Sequence, residues 1–327
     1  MTLAAGARAL VSLDDITAAA SRIAGIARRT PLWSATADPN RAGLWLKCEN
    51  LQLTGAFKIR GAANMLRQLD RGALERGVIT YSSGNHGQAM ACTARLLGAP
   101  AVVVMPTTAP AVKVEGARAY GAEVVFCGTT TIERRYEAER IAAERGMTMV
   151  PPFDHPWVIA GQGTIGLEIL EDLPGVEAIY LPVGGGGLVS GVAAAVKRLQ
   201  PAVRIIGVEP TGAPKMTRSL AAGHPVTLES TSSIADGLLA VRPADITFAH
   251  VAALVDEVVT VTEDEIADSV GWVAREAHQV VEPSGAVAVA AARTRHPLDT
   301  DSGHIVALLS GGNVSPERLS QILAGAV

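Results

Sequence analysis

Lysine is scarce in this chain. Of 28 basic residues only five are lysines, namely Lys47, Lys58, Lys113, Lys197 and Lys215, and arginine fills the remaining cationic positions. Aromatic residues are also few, with four Phe, four Tyr and four Trp. The formal net charge is −4, and no basic patch is interleaved with aromatics. That argues against nucleic acid as a partner and against recruitment to anionic lipid. The three cysteines, Cys48, Cys92 and Cys127, lie far apart with no CxxC spacing. They exclude a disulfide framework and a cysteine-rich metal site. No apolar run is long enough to span a bilayer, and the N-terminal stretch MTLAAGARALVSLDDI lacks the apolar core of a signal peptide. These absences lead us to expect a cytoplasmic enzyme or binding protein.

What is present is a long, apolar, α/β-patterned chain. Its 327 residues are 48% apolar and 18% charged, enough for one large domain or two moderate ones. VITYS (78–82), AVVVM (101–105), EVVFC (123–127) and MTMV (147–150) read as strands separated by helical patterns. A second series follows in AIYLPV (178–183), RIIGVE (204–209), EVVTV (257–261) and HIVALLS (304–310). Strands alternating with helices predict parallel sheets covered on both faces. Two series predict two α/β domains with a ligand cleft between them. We place the smaller domain at 77–154 and the larger at 1–76 together with 155–327, with VPPFDHPW (150–157) as a crossing point.

VGGGGLVSGVAAAVKRL (183–199) ends a strand, runs through four glycines and opens a helix near Leu188. A turn needs one glycine. Four let the backbone approach a ligand and aim N–H groups at a helix start, which suits phosphate. GQGTIG (161–166) matches the GxGxxG dinucleotide pattern but follows no clean strand, so it reads as helix packing. YSSGNHGQAM (81–90) crowds Ser82, Ser83, Asn85 and His86 around glycines at a strand-to-helix junction. Such a loop either holds a carboxylate or simply caps the helix. His86 reads as a neutral structural donor, since no second ligand stands at metal spacing. VVEPSGAVAVAAA (280–292) sets Glu282 before an apolar helix, where it complements the dipole; we also count it among candidate cofactor contacts. LLSGGN (308–313) ends a strand at Ser310.

Lys58 sits just past a tight turn and opens a helix, an unfavourable place for an ammonium because the helix dipole is positive there. That position, together with partial burial, lowers a lysine pKa and makes the amine a nucleophile toward an aldehyde and a usable general base. An activated amine, a phosphate cradle and a carboxylate loop together point to pyridoxal phosphate and an amino-acid substrate.

ENLQLTGAFKIRGAAN, SSGNHGQA, VIAGQGTIGLEI, PVGGGGLVSG, GVEP, TVTEDEI, EPSGA and SGGN occur in order over nearly the whole chain. Jointly they resemble the threonine/serine dehydratase and serine racemase family, within the tryptophan-synthase-β-like, fold type II pyridoxal phosphate enzymes. The resemblance implies two parallel-sheet α/β domains with the cofactor in their cleft, and a homodimer or homotetramer. It implies an ammonia-lyase acting on L-threonine or L-serine; a racemase, or a dehydratase of another β-hydroxy amino acid, is the alternative. By resemblance Lys58 would hold the cofactor covalently and Phe57 would pack by its ring. Asn85 would bond the ring hydroxyl, and Gly184, Gly185, Gly186, Gly187 and Leu188 would bind its phosphate. Gly237 would edge the ring, Ser310 would meet its nitrogen, and Ser83 would be a second acid/base on the face opposite Lys58. Phe153 stands where racemase relatives carry asparagine. The chain departs from the family pattern at two places. Ala56 replaces the usual serine. In EPTGAPK, Lys215 takes the position where metal-dependent members have a carboxylate after Glu209 and Ala213. We therefore expect no metal; Lys215 either supplies the charge itself or points to solvent.

Overall fold

The computed structural model describes residues 10–35, 43–82, 84–109, 111–295 and 303–326. Strands β1 (Leu32–Ser34) and β2 (Leu44–Lys47) come first, followed by β3 (Val78–Thr80), β4 (Ala101–Met105), β5 (Glu123–Phe126) and β6 (Thr148–Met149). The chain then adds β7 (Val176–Pro182), β8 (Arg204–Pro210), β9 (Glu257–Val261) and β10 (His304–Leu308). They form two sheets, one ordered β1-β2-β10-β7-β8-β9 and the other β5-β4-β3-β6. Every pairing is parallel except β1 with β2.

Both sheets are covered on both faces, which is why their strands read as continuous apolar runs. In the larger sheet Ala178 and Tyr180 face a cluster with Ala286–Ala292, while Ile179 and Leu181 face Ile165, Val189 and Val192. In the smaller sheet Val103 and Met105 pack on Met90 and Ala91, and Val102 and Val104 pack on Ala138 and Ile141. The expected strands are all present, most of them with shifted ends: β3 stops at Thr80, β6 holds two residues, and β10 ends at Leu308, two residues before Ser310. β1 and β2 escaped the pattern because three or four residues carry too little periodicity. Their place is fixed by pairing, with Trp45 of β2 opposite Val306 of β10.

GQGTIG lies inside helix Pro156–Asp172 and is a packing device. A Cβ on Gly161 would fall 2.5 Å from the Arg60 carbonyl oxygen, and one on Gly163 would fall 2.9 Å from that of Gly191. This helix is therefore pressed backbone to backbone against helix Lys58–Leu66 on one side and helix Gly187–Leu199 on the other.

Beneath helix Lys58–Leu66 is a buried ion cluster that sequence reading did not foresee. Arg60 bonds Glu49 at 2.8 Å and Glu168 at 2.6 Å, and Lys47 bonds Glu168 at 2.6 Å. Glu49 also accepts from Thr30 at 2.5 Å. Removing one partner of such a cluster costs about 3–5 kcal/mol, because a charge stays buried alone. The cluster pins the helix two residues beyond Lys58.

Candidate active site

The turn before Lys58 is built by Gly55, whose φ of +69° disfavours side chains. The next residues pair with the end of β10: Ala56 bridges Gly311, and the Phe57 N–H donates to the Ser310 carbonyl at 3.1 Å. SGGN and the lysine turn, more than 250 residues apart in the chain, are thus one local structure. Lys58 is the first residue of its helix, as expected. Its Nζ donates to the Pro152 carbonyl at 2.7 Å and lies 5.1 Å from the centre of the Phe57 ring. Burial lowers its pKa from 10.5 to about 8. The direction matches the sequence argument, with burial, one of the two causes it named, responsible.

The glycine run joins β7 to helix Gly187–Leu199, which opens one residue earlier than expected. Gly186 precedes that helix with φ +95° and provides no side-chain cap. The first N–H groups of the helix therefore have no partner within it, an arrangement suited to an anion. Phe153 lies over the loop. A Cβ on Gly185 would collide with its ring, and one on Gly187 would lie 3.0 Å from its Cβ. The Pro152 carbonyl that binds Lys58 is the adjoining residue, so the amine and the glycine loop meet at 152–153.

Ser82 is half-buried two residues past the end of β3; Ser83 lies outside the described residues. Helix Asn85–Leu97 has Gly84 as its N-cap and no side-chain cap there, so capping does not explain Ser82, Asn85 or His86. Asn85 instead donates from Nδ2 to Glu282 Oε1 at 2.6 Å and accepts at Oδ1 from Asn313 at 2.8 Å. His86 is buried, with Nε2 donating to the Val150 carbonyl at 3.0 Å. Burial, and then the nearby Lys58 charge, lower its pKa to about 3, which makes it the neutral donor expected.

Glu282 precedes helix Pro283–Arg295, but its carboxyl reaches Asn85 rather than acting only on the dipole. Burial and the Asp236 charge raise its pKa to about 7. Ser310 is buried, and its hydroxyl donates to the Ser284 carbonyl at 3.4 Å, while the Gly237 N–H donates to Ser284 Oγ at 2.9 Å. Sequence reading missed Ser284 and Asn313, although both lie inside quoted motifs. It also missed an ion pair between Lys113 of helix Ala111–Ala119 and Asp236 beside Gly237. Lys215 does not point to solvent: it is fully buried beside Glu209.

A family model for pyridoxal-phosphate dependent enzymes matches residues 23–311. The chain belongs to this family. It is 42% identical over 316 residues to the L-threonine ammonia-lyase of Thermotoga maritima, covering 96% of this chain and 78% of that one. It is 41% identical over 308 residues to a serine racemase of Oryza sativa subsp. indica, covering 92% and 91%. The structure of maize serine racemase superposes with a TM-score of 0.90 at 40% identity, covering 97% of this chain and 98% of that one.

The cofactor of this pyridoxal-phosphate dependent enzyme needs an amine for its aldehyde and donors for its phosphate, and the residues present fit it. Lys58 is a buried amine of lowered pKa, and the glycine loop leads into an uncapped helix N-terminus beside it.

Proposed function

We propose that this chain is an ammonia-lyase that converts L-threonine, and L-serine, to the 2-oxo acid and ammonia. One observation carries the reading: a buried amine of lowered pKa meets an uncapped glycine loop beneath an apolar ring, Phe153. When bound, pyridoxal phosphate supplies the electron withdrawal that acidifies the substrate Cα–H. Lys58 holds the cofactor, takes the α-proton once its amine is free, and is kept in place by the Pro152 carbonyl and the Arg60 cluster. Gly184, Gly185, Gly186, Gly187 and Leu188 hold the phosphate. Phe57 and Gly237 bound the ring, Asn85 and Glu282 face its hydroxyl edge, and Ser310 faces its nitrogen. A serine there does not keep the nitrogen protonated as a carboxylate would. We assign Ser82, Ser83, Asn85 and His86 to the substrate carboxylate, with Ser83 also taken as the second acid/base.

The alternative, amino-acid racemisation, shares proton removal by Lys58 and would use Ser83 for return. Phe153 supports elimination, because it offers no polar contact to hold the substrate for reprotonation on the other face. Incubating L-serine and L-threonine with the enzyme, then measuring 2-oxo acid and α-epimer by chiral chromatography, tests this. The 2-oxo acid should form faster; faster accumulation of the epimer would hand the site to racemisation.

The reading also places the smaller, substrate-loop domain at 77–154 and the larger, cofactor-binding domain at 1–76 with 155–327. It takes the enzyme to be a cytoplasmic homodimer or homotetramer, which light scattering checks for size. Among the described residues no helix is long and apolar enough to cross a membrane.

A further inference from the structure

Lys215 is the first residue of helix Lys215–Ala222, again a poor place for an ammonium. Unlike Lys58, it is enclosed by oxygen. Nζ lies 2.8 Å from the Val183 carbonyl, 3.0 Å from Leu238, 3.1 Å from Ala213 and 3.1 Å from Glu209 Oε1. The residue is fully buried. The Glu209 carboxylate is itself filled by donors, from Met216 N–H and Thr217 N–H at 2.9 Å each and from the Thr217 hydroxyl at 2.8 Å. Three of the four oxygens around Nζ are carbonyls, which have no proton to give. Burial works against a charge here and lowers the lysine pKa, while Glu209 supports the charge; a neutral amine has only two hydrogens for the three carbonyls, and an ammonium has three.

The segments it gathers border the glycine loop. Val183 immediately precedes Gly184, and Leu238 immediately follows Gly237. A Cβ on Gly184 would sit 3.2 Å from the Gly237 carbonyl oxygen, and one on Gly186 would sit 3.1 Å from Cε of Met216, the residue after the lysine. Three carbonyls and a carboxylate are the hard-oxygen set that a divalent cation takes. Here the positive charge is covalently tethered, so dilution or chelation cannot remove it.

We propose that Lys215 is a positioning residue, an internal cation that holds Val183 and Leu238 together and so sets the shape of the glycine loop for the cofactor phosphate. The proposal rests on the loop being the phosphate cradle; it is independent of which amino acid reacts.

Equilibrium dialysis of the holoenzyme against graded pyridoxal phosphate, read by visible absorbance, tests it without turnover. Lys215→Ala should bind the cofactor about tenfold more weakly, the scale of a lost charged hydrogen-bond set. Ammonium chloride should restore about threefold or more of that loss, and tetramethylammonium chloride at equal ionic strength should not. Wild-type affinity in a folded Lys215→Ala protein, or equal recovery with both salts, overturns the proposal. If Lys215→Ala does not fold, Lys215→Met combined with Glu209→Gln fills the space without charge. That pair should still bind about tenfold more weakly and ignore ammonium; wild-type affinity in it overturns the proposal equally. Equal affinity of the wild-type enzyme for pyridoxal and for pyridoxal phosphate would instead overturn the cradle reading and this proposal with it.

Discussion

Replacing Glu282 by glutamine should stabilise the cofactor-free protein at pH 8 and do little at pH 4.5. The wild-type carboxyl is pushed from its ordinary 4.5 to about 7, first by burial and then by Asp236, against the pull of Asn85 and Lys113. A raised carboxyl pKa means that the folded chain binds more protons than the unfolded chain between those values. Stability from this group is complete below pH 4.5 and is lost as pH rises through 7. Carrying the carboxyl over that interval corresponds to about 3 kcal/mol, at ~1.36 kcal/mol per pKa unit. Glutamine keeps an oxygen to accept from Asn85 and never ionises, so it escapes that loss. For a chain of this length 3 kcal/mol is worth about 4–5 °C in Tm. Thermal unfolding of wild type and Glu282→Gln, freed of cofactor, at pH 4.5, 6 and 8 measures it. The gap should open across the series, from under about 1 kcal/mol to the full value. An equal gap at all three pH values, or a destabilised variant at pH 8, would show that the carboxyl is not held protonated by its surroundings.

Lys58, at about 8, should capture pyridoxal phosphate about tenfold faster at pH 9 than at pH 7 and then level off, whereas an ordinary lysine would keep accelerating. Borohydride reduction and peptide mapping should place the label on Lys58, and Lys58→Ala should lose both label and lyase activity; label on another lysine refutes the assignment. Exhaustive chelation should leave activity and Tm unchanged. At 4 Å from Nζ each positive charge of an added dication is opposed by about 4 kcal/mol at an effective dielectric of 20; a loss restored by magnesium or calcium would refute this. Gly191→Ala should lower stability by about 2–4 kcal/mol in urea unfolding, because its Cβ would collide with the Ile159 carbonyl; a neutral result would show that the helices have room to part.

The reactive pieces were legible because each pairs a residue type with a local break in pattern. Lys58 opens a helix, four glycines follow a strand, and SGGN follows the last strand. Their assembly was not legible. The bridge from Ala56 to Gly311 joins segments more than 250 residues apart, and no periodicity encodes it. Glu282 read as a helix-start charge because sequence shows its neighbours along the chain, not Asn85 across the cleft. Arg60 carried no signal in the sequence, since burial of a charge is decided by partners on other segments, here Glu49 and Glu168. Lys215 shows the same limit. Its position stood out, but four acceptors, two of them on the distant segments at Val183 and Leu238, decide where its ammonium goes.

The glycine contacts along helix Pro156–Asp172 fix more than packing. The helix carrying Lys58 and the helix that follows the glycine loop are spaced by main chain, with no side chain between them at those points. Side-chain spacers hop between rotamers and yield under load; peptide backbone in direct contact does neither. The span from Lys58 to the glycine loop thus behaves as a stiff gauge length, insulated from thermal jitter and from sequence drift on the outer helix faces. Phe153, Asn85 and His86 lie outside that gauge. On the proposed reading, substrate choice can be retuned there without recalibrating the distance from Lys58 to the glycine loop.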